Sequence, residues 1–115
     1  MGYIIYLDDI RFPDGGAYFE GNKNICLARS FKHFQAIIES EGIPLFVSFD
    51  FDLGLDEDGT NVAPTGGTCV RWMIEYCHVN NERFPHWRLH TANTEGRKEM
   101  QSLILSAFKA GYILP

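Results

Sequence analysis

Tyr3-Ile4-Ile5-Tyr6-Leu7-Asp8-Asp9 decides the fold. An unbroken run of aliphatic and aromatic residues suits a strand buried on both faces, and this one stops abruptly at two carboxylates. The same pattern recurs downstream. Pro44 opens Leu45-Phe46-Val47-Ser48-Phe49, which ends in Asp50-Phe51-Asp52, and after Pro85 the short run Trp87-Arg88-Leu89 ends in His90-Thr91-Ala92-Asn93. Ile25 to Ala28 reads as a further strand that closes at Arg29. Segments of helical period lie between these runs. Ser30 is placed to cap a helix with Phe31, Phe34, Ile37 and Ile38 on one face, and Gly42 stops it. Thr68 to Val79 presents Val70, Met73, Ile74 and Cys77 at helical spacing, with Trp72 and Tyr76 beside them. Asn93 or Thr94 caps a last helix carrying Met100, Leu103, Ile104, Ala107 and Phe108, which Gly111 ends. Tyr112-Ile113-Leu114 reads as an added edge strand, and Ala17 to Glu20 as a small hairpin arm.

Strands alternating with helices predict an α/β fold in one domain, residues 1–115, with a mostly parallel sheet covered on both faces and right-handed crossovers. In such open sheets ligands sit beyond the carboxyl ends of the strands, near a topological switch point. Three strands finish there in polar clusters: Asp8 with Asp9, Asp50 with Asp52, and His90 with Thr91 and Asn93.

Composition narrows the function. Ten Lys plus Arg against fifteen Asp plus Glu give a net charge of -5, and 45 % hydrophobic with 22 % charged residues is an ordinary globular balance. The longest apolar runs fall far short of the roughly 20 residues a membrane span needs. Asp8 and Asp9 stand where a secretory leader would continue its apolar stretch, which predicts a cytoplasmic protein. Cys26, Cys69 and Cys77 are odd in number and lack a CxxC spacing, so reduced, packed thiols are expected rather than disulfides or structural zinc. The acidic balance argues against a nucleic-acid coat, and neither a membrane nor sequence-specific DNA is expected as a partner.

Carboxylates converging on one strand-end pocket repel one another, and either proton uptake or a hard divalent cation relieves them. Asp8, Asp9, Asp50 and Asp52 are therefore candidate ligands for Mg2+ or Mn2+, a cation that keeps waters and accepts phosphate oxygens. Acids that merely open solvated loops are the plainer reading of any single pair; Asp50 is the firmer member of the second pair, because the chain is leaving the strand at Asp52. His90 fits a general acid or base, a metal ligand, or a hydrogen-bonded structural residue. Thr91 and Asn93 can donate to phosphate oxygens, the helix start at Gly96 offers backbone N–H groups, and Arg11 and Arg97 could grip phosphate or pair with nearby acids. Asp56-Glu57-Asp58-Gly59 has the look of part of a calcium loop, but Gly54 and Thr65 occupy its end positions, so a solvated loop is expected. His33, His78 and His86 lack ligand spacing, and Trp72, Tyr76 and Trp87 read as core. Walker and GxGxxG loops and a Ser-His-Asp order are absent.

Leu7-Asp8-Asp9, Asp50-Phe51-Asp52-Leu53-Gly54 and Leu89-His90-Thr91-Ala92 resemble the receiver-domain pattern of two-component signalling. The closer resemblance is to its divergent cyclic-phosphate-processing receiver branch. That branch has Leu-Asp-Asp-x-Arg-x-Pro, Ser-x-Asp-x-Asp-Leu-Gly and His-[Ser/Thr]-x-Asn-x-x-Gly segments. This chain reads Leu7-Asp8-Asp9-Ile10-Arg11-Phe12-Pro13, Ser48-Phe49-Asp50-Phe51-Asp52-Leu53-Gly54 and His90-Thr91-Ala92-Asn93-Thr94-Glu95-Gly96. The resemblance implies a receiver-like (flavodoxin-like) three-layer fold of about five strands lacking the last helix. It implies magnesium at Asp8 and Asp9, a phosphoacceptor position at Asp50 and a switch hydroxyl at Thr91. A receiver's carboxyl-terminal Lys has no counterpart, since Lys109 still lies in the preceding helix. The expected function is metal-dependent processing or recognition of a cyclic or terminal phosphate on a small molecule, nucleotide or RNA end, with His90 and Asp50 catalytic. The rivals are a signalling receiver phosphorylated on Asp50 that docks a protein partner, and a domain that sequesters a phosphorylated ligand without turnover.

Overall fold

Four strands run parallel in the order β2-β1-β3-β4: β1 (Ile4–Leu7), β2 (Ile25–Ala28), β3 (Phe46–Phe49) and β4 (His86–Leu89). They belong to a computed structural model that describes residues 2–9, 24–54 and 64–115. The central strands β1 and β3 are buried at every position, whereas edge strand β4 is exposed at His86 and half-buried after it. This is the burial that unbroken apolar runs require of a parallel sheet. The chain leaves β1 toward one edge and β3 toward the other, so the switch point lies between those two strands.

Among the described residues three helices connect and follow the strands: α1 (Phe31–Glu41), α2 (Gly66–Val79) and α3 (Thr94–Lys109). Ser30 caps α1 by accepting the His33 N–H at 3.1 Å, and Gly42 closes it in a left-handed conformation at φ 85°. Asn93 caps α3 by accepting the Gly96 N–H at 2.8 Å. The α2 helix starts two residues before the expected Thr68, because the Gly66 N–H finds a tertiary partner in the Phe51 carbonyl at 2.7 Å.

Alternation divides the sheet into two faces. Ile5, Leu7, Val47 and Phe49 join Phe34 and Ile38 of α1, Val70 and Met73 of α2, and Met100 and Ile104 of α3 in one core. Each such large side chain contributes roughly 1.5–3 kcal/mol through burial. Ile4, Tyr6 and Phe46 face the other way, with Ile25 and Leu27, and no described helix contributes to that cluster. Cys69 and Cys77 are free and buried within the main core, and burial pushes the Cys77 thiol up to about 12. Trp72, Tyr76 and Trp87 are half-buried against the same core, as expected.

Among the described residues the sheet has four strands, not about five. Tyr112-Ile113-Leu114 makes a single parallel bridge, Leu114 with Arg83, instead of an edge strand. Pro85 and Pro115 bring no N–H to a ladder at that edge, so pairing does not propagate. No helix among the described residues is long and apolar enough to cross a membrane. The expected hairpin at Ala17–Glu20 and the acidic loop Asp56–Gly59 lie outside the described residues.

Candidate functional site

Register assembles the site. Leu7 pairs with Phe49 and Phe49 with Leu89, so the next residues, Asp8, Asp50 and His90, emerge side by side. The ladder continues through them: Asp8 N–H donates to the Ala28 carbonyl, Asp50 N–H to Leu7, and His90 N–H to Phe49. Their side chains offer ligand atoms within 4.8 Å of one another.

His90 follows β4 and Asp8 follows β1, two strand spacings apart with β3 between them, or roughly 10 Å. The imidazole spans this gap by leaning over β3. Its Nε2 lies 3.0 Å from Asp8 Oδ2, its Nδ1 lies 2.7 Å from Ser48 Oγ, and its ring stacks on Tyr6 at 4.4 Å between centroids. Ser48 in turn accepts from Arg88 Nε at 2.9 Å. From β2's end, Arg29 donates to the Asp8 carbonyl at 3.0 Å.

Asp50 is buried, and its carboxyl is pushed above the ordinary aspartate range, first by that burial and then by the Asp8 charge. The Phe51 N–H at 2.9 Å, a Thr91 hydrogen bond and His90 pull the other way without cancelling the rise. Above Asp50 opens a cavity of about 380 Å³ whose wall includes Asp9, Asp52, Gly54, Thr91 and Asn93. Gly54 sits at φ 76°, and a Cβ there would come within 2.8 Å of Asp9 Oδ2, so glycine lets the loop close against that carboxylate. No Lys or Arg lines the cavity among the described residues.

Asp8, Asp9, Asp50, Asp52, Thr91 and Asn93 thus come together as the sequence groups them. Asp8, buried, and His90, half-buried, cluster with Asp50, and Asp9, Asp52, Thr91 and Asn93 line the cavity; Asp50 belongs to both groups. Asn93 is doubly engaged, capping α3 through Oδ1 and donating to Asp52 Oδ2 at 3.2 Å through Nδ2. The N–H of Gly96 is taken up by that cap, and Gly96 itself is where the Phe51 ring packs against α3. Arg97 turns its Nη2 to the Thr91 carbonyl at 3.0 Å, where it braces the turn. Arg11 lies outside the described residues. Arg29, Ser48, Arg88 and Tyr6 had no role assigned from sequence. Period-two alternation carries the signal for three of them, since Tyr6, Ser48 and Arg88 each stand two residues before a site residue and so share its face.

The donor set suits a hard cation. Carboxylate oxygens are what Mg2+ and Mn2+ prefer, and a positive charge beside Asp8 and Asp50 would offset their mutual repulsion, the second cause, after burial, of the raised Asp50 carboxyl.

Comparison with protein-family models matches residues 3–106 to the cyclic-phosphate processing receiver domain. Neither a curated protein nor a solved structure matches the chain. The family match takes in all four strands, both groups of strand-end acids and the His90–Gly96 turn, and by it the chain belongs to the cyclic-phosphate processing receiver domain family.

Proposed function

We propose that this domain binds a divalent cation, Mg2+ or Mn2+, on Asp8, Asp9 and Asp50, and through it a cyclic or terminal phosphate of a nucleotide or RNA end. One observation carries the reading: a cavity walled by Asp9, Asp50 and Asp52, with no cationic side chain among its described lining residues, belongs to a chain of a phosphate-processing family. Those carboxylates repel a phosphate, and an accompanying cation would offset that repulsion. When bound, the cation would neutralise phosphoryl oxygens as a Lewis acid.

The chain's own groups supply the rest. Thr91 and Asn93 present polar groups at the cavity wall to orient the ester. His90 holds a proton beside Asp8 and is the candidate proton carrier. Asp52, tied to Asn93, keeps the wall acidic without competing for the buried position of Asp50. Arg97 holds the Thr91 turn in place.

Calorimetric titration with a 2′,3′-cyclic nucleotide, with magnesium and with chelator, tests the reading, and phosphorus NMR of the same samples follows turnover. Binding is expected with the metal only. Equal binding in chelator would overturn the metal-mediated site, and tight binding without hydrolysis would assign recognition in place of processing.

A second reading rests on the Thr91 hydrogen bond to Asp50, which places a hydroxyl beside a carboxylate at the phosphoacceptor position. Acetyl phosphate would then modify Asp50, and mass spectrometry after borohydride trapping would detect it.

A further inference from the structure

Ser48 is fully buried in the middle of the sheet, a polar side chain in an otherwise apolar strand. Its hydroxyl meets two partners, Arg88 Nε at 2.9 Å and His90 Nδ1 at 2.7 Å. A guanidinium only donates, so Arg88 occupies one lone pair of Ser48 Oγ, and the hydroxyl hydrogen can point at Nδ1. On the other side of the ring, Nε2 faces Asp8 Oδ2 at 3.0 Å. A bare Nε2 lone pair would meet a carboxylate there, acceptor against acceptor. For a neutral ring, the arrangement that pairs donor with acceptor at both nitrogens has Ser48 donating to Nδ1 and Nε2–H donating to Asp8. Tyr6, stacked within 6° of parallel, holds the ring in that plane.

We infer that Ser48, polarised by Arg88, is a positioning residue that fixes His90 as its Nε2–H tautomer, so that His90 serves Asp8 as a hydrogen-bond donor and does not serve the cation as a ligand. The purpose of the device, though not its geometry, rests on the proposed metal site. A carboxylate that binds a cation through one oxygen needs its orientation fixed through the other, and such supporting hydrogen bonds govern metal affinity. Arg88, Ser48 and Tyr6 all lie one alternation behind the strand-end residues, on the sheet face opposite the main core. The relay thus connects three strands beneath the cavity without lining it.

Long-range proton–nitrogen NMR of the metal-free, nitrogen-15-labelled chain reads the tautomer directly, with the ring signals of His90 among the four histidines identified by their loss in His90→Gln. The expected spectrum has a protonated Nε2 and an unprotonated, hydrogen-bonded Nδ1. Ser48→Ala should move the Nδ1 resonance toward that of an unbonded nitrogen and weaken magnesium binding by roughly tenfold or more. Arg88→Met, which leaves the buried hydroxyl in place, should move Nδ1 in the same direction by less. Nε2 should keep its hydrogen when magnesium is added. A protonated Nδ1 with bare Nε2 in the unsubstituted chain, an Nδ1 resonance unmoved in both variants, or loss of the Nε2 hydrogen on metal addition would each overturn the inference. Failure of the unsubstituted chain to bind magnesium would count against the proposed function, while the metal-free spectra still decide the tautomer and the role of Ser48.

Discussion

His90 Nε2 and Asp8 Oδ2 stand 3.0 Å apart across 82 residues of chain, and the imidazole reaches Asp8 over the end of a strand that belongs to neither. Asp8 is fully buried and His90 half-buried, and the neighbouring acid, Asp50, has a negative neighbour at close range. Much of what the molecule does follows from that crowding.

Replacing Asp50 by Asn removes one of the two crowded charges and keeps an oxygen for Thr91. In the absence of metal, Asp50→Asn should melt a few degrees above the unsubstituted chain. Magnesium should stabilise the unsubstituted chain by about 2.7 kcal/mol at a hundred times its dissociation constant, and should leave the variant unmoved. Calorimetric melting with metal and with chelator checks both; a metal shift that survives the substitution would remove Asp50 from the ligand set.

The raised Asp50 carboxyl also sets a pH dependence. The folded state holds a proton that the unfolded chain has already released, so the folded state binds more protons and stability falls as pH rises. The stabilising contribution is complete below the unfolded value, about 3.9, and is lost as pH climbs through the raised folded value. Urea unfolding of the metal-free chain between pH 4 and neutrality should show that decline, and Asp50→Asn should flatten it.

Asn93 joins a helix cap to the cavity wall. Asn93→Ala should cost about 1 kcal/mol of stability through the lost cap. If Asn93 also orients the ester, Asn93→Asp, which keeps a cap acceptor but loses the Nδ2 donor and adds a charge beside Asp52, should spare most of the stability and still weaken phosphate binding. Chemical denaturation and ligand titration of the two variants separate these effects.

Gly96 is occupied by neighbouring space. A Cβ there would lie 2.3 Å from Phe51 Cγ, and the ring cannot retreat freely, because a Cβ at Gly67 on α2 would lie 3.3 Å from its Cε1. Gly96→Ala should therefore destabilise the fold by about 1–3 kcal/mol, although alanine favours helix, and a melting curve that rises instead would show that the ring has room to move.

Strands were legible because their apolar runs end so sharply: Leu7 into Asp8, Phe49 into Asp50, Leu89 into His90. The caps at Ser30 and Asn93 were legible because short polar side chains at helix starts have a local task. The start of α2 was not, since Gly66 is recruited into the helix by the Phe51 carbonyl, a tertiary contact. Nor was the fate of Tyr112–Leu114, whose apolar run looks like a strand but meets Pro85 at the sheet edge. At the site, the residues that follow strands came together as their positions required. Arg97 did not face the cavity because the Thr91 carbonyl, needing a donor at the tight turn, lies nearer. Ser48, Arg88 and Arg29 escaped notice because their partners depend on which strands are neighbours, and strand order is not written in any one segment.

That order, β2-β1-β3-β4 with every ladder parallel, also has a kinetic meaning. No two neighbouring strands are joined by a hairpin, so each ladder must close a long loop before it gains anything, and folding should be slow for a chain of this size. Asp8, Asp50 and His90 meet only where β1, β3 and β4 are in register, so the complete site belongs to the assembled sheet. A cation bound there would favour the native state over states in which those strands are unpaired. It should lengthen the lifetime of the native chain by slowing unfolding and leave the rate of folding almost untouched.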